Sequence, residues 1–184
     1  MSSFVIVALA EMGDKTQLVA FSLASRYRRP WTVMLGILLA TTVNHALASS
    51  LGVWAAKTVP DSVLGWALGL GFIAFGVWTL FPDSVEERKP QGRWGVLAST
   101  AIVFFLAEMG DKTQLATVAL GARFGSPVAV TAGTTLGMLA SDGLAVFGGR
   151  YLSERVPMGF VRWSAATLFF VFGIAAIWRL IGTG

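Results

Sequence analysis

Hydrophobic positions along the chain gather into six long runs, at about 3–24, 32–56, 63–81, 95–121, 128–148 and 160–181, parted by short segments rich in charge or proline. Each run nears or exceeds the roughly 20 residues an α-helix needs to cross a bilayer. The pattern predicts an all-α integral membrane protein with six transmembrane helices and almost nothing outside the membrane. Composition agrees, with 55% hydrophobic and only 13% charged residues, against about 25% charged in soluble domains. All seven tryptophans (Trp31, Trp54, Trp66, Trp78, Trp94, Trp163 and Trp178) fall near predicted helix ends, where an indole ring prefers the headgroup boundary.

Two of the runs are broken by the same polar nonapeptide, AEMGDKTQL, at 10–18 and again at 107–115. A shift of 97 residues superimposes the copies and also aligns Arg26 with Arg123, Pro30 with Pro127 and Gly36 with Gly133. The chain therefore divides into a first three-helix repeat (1–81), a charged linker (82–94) and a second three-helix repeat (95–184), together one membrane domain. An odd number of helices per repeat inverts the second relative to the first, the arrangement of secondary transporters that bind substrate near the midplane. Elsewhere the halves diverge, as in IVAL at 6–9 against VFFL at 103–106. Nine consecutive identical positions, three of them charged, amid such divergence favour a functional cause over recent duplication.

Charge sets orientation before it suggests a partner. Loops after the first, third and fifth helices carry nine basic residues, including Arg26, Arg28, Arg29, Arg88, Lys89 and Arg93; the other side carries Lys57, Arg123 and Arg179. The positive-inside rule places the nine-charge side and the linker in the cytoplasm and both termini outside. On this reading the formal charge of +4 does not point to nucleic acid. The N-terminal run lacks a basic leader and is interrupted by charges, so it is expected to be a retained helix rather than a signal peptide. The chain has no cysteine and one histidine, His45. Thiolate chemistry is excluded, and no nucleophilic triad or histidine metal cluster suggests an enzyme.

A charge at the centre of a spanning helix costs about 2.5–3.5 kcal/mol on insertion scales, and a large apolar residue recovers only about 0.3–0.6. Glu11, Asp14 and Lys15 in the first run are therefore expected to face the protein interior, where such groups mark an ion or substrate path. On a continuous helix these three lie within about 100° of arc, with Gln17 about 60° beyond Asp14. Gly13 would permit close helix approach or a local break that frees carbonyls, and Thr16 would satisfy such groups or add a ligand. The second copy repeats the set with Glu108, Gly110, Asp111, Lys112, Thr113 and Gln114. Glu11, Asp14, Glu108, Asp111, Gln17 and Gln114 are the expected ligands of a divalent cation, since carboxylate and amide oxygens suit Mg²⁺, Ca²⁺ or Mn²⁺ better than Zn²⁺ or Cu⁺. A purely structural Glu11–Lys15 pair at i,i+4 is the bland alternative.

The same shift sets Asn44 against Ser141 and His45 against Asp142. With Lys15, Lys112, Thr16 and Thr113 these are candidate secondary polar groups or proton relays, though Asn44 and His45 would serve equally well in helix packing. Five acids (Glu11, Asp14, Glu108, Asp111, Asp142) against two lysines give a formal −3. So many like charges in a low-dielectric site do not all stay ionised once a cation leaves, so metal and protons are expected to compete for the same oxygens.

The paired EMGDKT motifs at 11–16 and 108–113, in two three-helix halves, resemble the Gdt-type manganese and calcium transporters grouped with the LysE superfamily. The resemblance covers essentially the whole chain. It implies Mn²⁺ or Ca²⁺ moved in exchange for protons, with the motif acids as cation ligands, here Glu11, Asp14, Glu108 and Asp111. The short loops and the lack of an N-terminal extension look bacterial. The resulting expectation is a plasma (inner) membrane exporter of Mn²⁺, or of Ca²⁺, driven by inward protons, with no cofactor and the metal as substrate. Two alternatives are an amino-acid exporter of the LysE type and a non-transporting membrane scaffold whose polar motifs bind helices together.

Overall fold

The computed structural model describes residues 2–12, 14–81, 95–153 and 158–182. Among them the chain is helical throughout, as α1 (Ser2–Glu11), α2 (Lys15–Tyr27), α3 (Pro30–Thr58), α4 (Asp61–Thr79), α5 (Val96–Glu108), α6 (Lys112–Phe124), α7 (Pro127–Ser153) and α8 (Met158–Gly182). Four helices hold a stretch long and apolar enough to cross a membrane: Pro30–Thr58, Asp61–Thr79, Pro127–Gly148 and Trp163–Gly182. The expected linker 82–94, with Trp94, and Gly13 lie outside the described residues.

The first and fourth expected helices are not continuous. Each breaks at the motif, into α1 and α2 and into α5 and α6. Asp14 leaves helical geometry at φ −83°, ψ 171° and caps α2, its carboxylate accepting from the Lys15 N–H at 2.7 Å. Asp111 takes the same extended conformation at φ −79°, ψ 162° ahead of α6. Side chains on opposite sides of a break do not follow 100° steps, so the single charged helix face expected for Glu11, Asp14 and Lys15 does not exist. An uninterrupted i,i+4 Glu11–Lys15 pair is excluded for the same reason.

Prolines start α3 and α7, where a missing N–H leaves no intrahelical bond unmade. The halves interleave. α3 packs against α5, α6 and α7, α7 packs against α1, α2 and α3, and α4 packs against α8. Contacts along α3 and α7 run in opposite order: the Thr41 hydroxyl meets the Met138 sulfur (3.3 Å), His45 meets Thr135 (3.5 Å) and Ser49 meets Thr131 (2.8 Å). These matched helices are therefore antiparallel.

The interior combines buried polar side chains with apolar clusters around Phe72 and Phe104, while many large apolar side chains are exposed. α3 buries Thr41, Asn44, His45 and Ser49 while exposing Leu35, Leu39, Val43, Leu47 and Leu51 at four-residue spacing. In water such a stripe would drive association; against lipid it needs no cover. The six described tryptophans are all exposed, Trp31 and Trp178 most at 77%, in keeping with rings at an interfacial belt.

Backbone approach between α3 and α6 is close enough that a Cβ on Gly52 would lie 2.0 Å from the Val118 carbonyl oxygen, and one on Gly121 would lie 2.4 Å from that of Ser49. Gly71 on α4, by contrast, has nothing within 4 Å of a Cβ. Gly52→Ala is expected to destabilise the fold by about 1–3 kcal/mol through overpacking, and Gly71→Ala to leave it unchanged or slightly firmer. Thermal unfolding of the purified variants in detergent checks both.

Candidate metal centre

The two breaks meet in the interior because each broken pair lies along the long helix of the other half. Gln17 on α2 donates to the Ser141 carbonyl on α7 at 3.0 Å, and Asn44 on α3 donates to the Phe105 carbonyl on α5 at 3.1 Å. Glu11, at the last residue of α1, is fully buried, as are Asp14 and Asp111 within a few per cent. One carboxylate oxygen from each of these three lies within 4.8 Å of the others. Two oxygens on one cation with bonds of about 2.3–2.6 Å are separated by at most about 5 Å, so the trio fits a single ion.

The trio is held by cross-links between the halves. The Lys15 ammonium lies 3.0 Å from Asp111 Oδ1, and the Lys112 ammonium lies 3.1 Å from Asp14 Oδ2. Thr16 donates to Glu11 Oε2 at 2.6 Å, and Thr113, from the other half, donates to Glu11 Oε1. Removing one member of a buried ion pair leaves the other uncompensated, typically at a cost of about 3–5 kcal/mol.

Glu108 and Asp142 stand beside the trio in a different state. Both are fully buried, and none of their carboxylate oxygens accepts a hydrogen bond from the described residues. Glu108 is within coulombic reach of Glu11, Asp14, Asp111 and Asp142, and Asp142 within reach of Glu11 and Asp14. Five acids and two lysines thus share one interior region at a formal −3. Isolated buried carboxylates are costly, and this excess is suited to a cation.

The remaining expected residues divide. The Asn44 Oδ1, Ser141 Oγ and His45 Nε2 atoms are buried without a hydrogen-bond partner among the described residues, and His45 Nδ1 faces Thr135. Gln114 does not reach the trio through its oxygen, which accepts from the Gly110 N–H at 2.7 Å. Sequence reasoning missed the hydroxyl seam of α3 and α7, Thr41, Ser49, Thr131 and Thr135, together with Thr100, buried on α5 without a partner. Their recurrence near every fourth residue alongside His45 was the available signal.

The profile of the family described as "Divalent cation/proton antiporter GDT1" matches residues 1–87 and again residues 96–183. The chain belongs to the GDT1 family. It is similar, at 42% identity over 94% of its length and 87% of the relative's, to a Vibrio cholerae protein named "Putative manganese exporter". It is also similar to GDT1-like protein 5 of Oryza sativa subsp. japonica, 30% identical over 94% of this chain and 90% of that one. A GDT1-like protein of Synechocystis is 27% identical over 98% and 97% of the two chains. No solved structure matches. GDT1 membership makes the chain a transmembrane cation/proton antiporter, of a transporter family rather than an enzyme family.

The second GDT1 motif turns at Gly110, which has φ +76° and nothing within 4 Å of the point a Cβ would occupy. A substitution there acts through backbone conformation alone. Gly110→Ala is expected to cost about 1–2 kcal/mol, and Gly110→Asn less, since asparagine tolerates the left-handed region. Denaturant titration in mixed micelles distinguishes the two variants.

Proposed function

We propose that the protein exports Mn²⁺ from the cytoplasm in exchange for inward protons, with Glu11, Asp14 and Asp111 as the core of the ion site and Glu108 completing it. The observation that carries this is the convergence of three buried carboxylates from two helix breaks, each offering an oxygen within 4.8 Å of the others. Gln17, Asn44, Ser141, Asp142 and His45 line the surrounding polar region, with Thr16 and Thr113 positioning Glu11. The all-oxygen donor set favours a hard divalent cation, and the Vibrio cholerae relative's name supports manganese among these. The proton gradient of a bacterial inner membrane supplies the outward drive.

The halves are taken as inverted repeats in which α1–α2 and α5–α6 each cross as one discontinuous span, six crossings in all, with both termini outside. The antiparallel course of α3 and α7 and the double match to the family profile support this arrangement. Discontinuous helices place carbonyl ends and amide ends beside an ion at membrane depth. The chemistry needs no cofactor, because binding, release and proton exchange all occur on side-chain oxygens. A cationic amino acid is a poorer substrate, since Lys15 and Lys112 already supply ammonium groups to the aspartates.

Proteoliposomes loaded with a pH dye test the proposal. Mn²⁺ entry is expected to move protons the other way, and Glu108→Gln and Glu11→Gln are each expected to reduce metal flux at least tenfold while the protein remains folded. Metal flux without proton movement, or loss of folding as the only effect of both variants, overturns the exchanger. Equilibrium Mn²⁺ binding is expected to weaken steadily as pH falls, because protons and metal share the same oxygens; binding independent of pH overturns the coupling. Ca²⁺ in a parallel titration determines which ion the site prefers.

A further inference from the structure

The two motif lysines pair across the halves, each reaching the aspartate that precedes the other half's helix. Lys15 begins α2 directly after Asp14, yet its ammonium lies on Asp111; Lys112 begins α6 directly after Asp111, yet its ammonium lies on Asp14. Asp14 and Asp111 are two of the three acids whose oxygens converge. An ammonium 3.0 Å from an oxygen and a metal bonded to that oxygen at about 2.0–2.6 Å would bring like charges together in a low-dielectric interior. They oppose one another at the same carboxylates.

We propose that Lys15 and Lys112 are tethered counter-cations that hold the metal-free site closed, and that a divalent cation enters by displacing both ammonium groups. This rests on the reading of Glu11, Asp14 and Asp111 as the ion site. With the lysines in place the trio carries a formal −1 and attracts a second cation weakly; with them withdrawn it carries −3. One divalent ion replaces the charge of two ammonium groups and a monovalent ion does not, so the pair selects for divalent cations. The same bonds tie the start of α2 to the start of α6. Displacement therefore frees the two halves from each other at their breaks, which links ion entry to relative movement. Lys15, with a side chain 27% exposed against 8% for Lys112, has the more open route of withdrawal.

Amine acetylation of the purified wild-type protein, mapped by mass spectrometry with and without saturating Mn²⁺, reads the displacement directly. Labelling of Lys15 and Lys112 is expected to rise severalfold with Mn²⁺, while exposed Lys57 stays constant. Lys15→Met and Lys112→Met are expected to bind Mn²⁺ about tenfold more tightly, as follows when a closed form outnumbers the open one by about ten to one, and Lys→Arg at either position to retain wild-type affinity. Mn²⁺ binding with unchanged lysine labelling, or weaker binding by folded Met variants, overturns the lock while leaving the ion site standing. Absence of Mn²⁺ binding by the wild type overturns the ion site and the lock together.

Discussion

Everything in this molecule is arranged around the cost of keeping carboxylates out of water. Glu11, Asp14, Glu108, Asp111 and Asp142 are buried in one region, where bulk solvent offers no screening and each charge must find a partner inside the protein. Two ammonium groups and two threonine hydroxyls supply some of that compensation, and three of these four contacts cross the boundary between the halves. Neither half could satisfy its own motif alone. The ion pairs thus act as the registration of one half upon the other, and the interleaved packing of α1 and α2 on α7, and of α5 and α6 on α3, is the scaffold that brings them within reach.

Breaking the helices is the second consequence of that cost. A continuous helix would carry Asp14 and Lys15 past each other on its own surface; an extended residue at Asp14 turns the carboxylate into a cap for α2 and lets the lysine reach the opposite half. The break also leaves the carbonyl end of one helix and the amide end of the next at the same depth, a pattern of fixed dipoles that can serve an ion and the acids together. Close backbone approach at Gly52 and Gly121 removes the space that side chains would otherwise hold between α3 and α6.

The nonapeptide is repeated letter for letter, but its hydrogen bonding is not. Both motif threonines donate to Glu11, while Glu108 receives none. Gln17 donates to the Ser141 carbonyl on α7, and Gln114 accepts from the Gly110 N–H. Identical local sequence therefore supports two environments, one acid held by hydroxyls and the other bare. For an exchanger built of two like halves, such inequality is the physical means by which equivalent residues can take different parts at a given moment.

The amino-acid sequence by itself determined the helical, membrane-embedded class, the duplicated motif and the identity of the acids, because hydrophobic run length and the energetic anomaly of buried charge are both local properties. The repeat matched Asn44 to Ser141 and His45 to Asp142 in sequence, but equivalence in a repeat is not contact: Asn44 reaches the Phe105 carbonyl and His45 faces Thr135. The sequence did not reveal that the motif interrupts its helix: the choice between continuing an α-helix and capping a new one at Asp14 depends on what the side chain meets, and its partner Lys112 is in the other half. The crossing of Lys15 to Asp111 was hidden for the same reason. Nor could spacing show that Gln17 reaches the Ser141 carbonyl on α7, because that partner is in the other half. Only tertiary structure decided these points, by setting which half lies against each side chain.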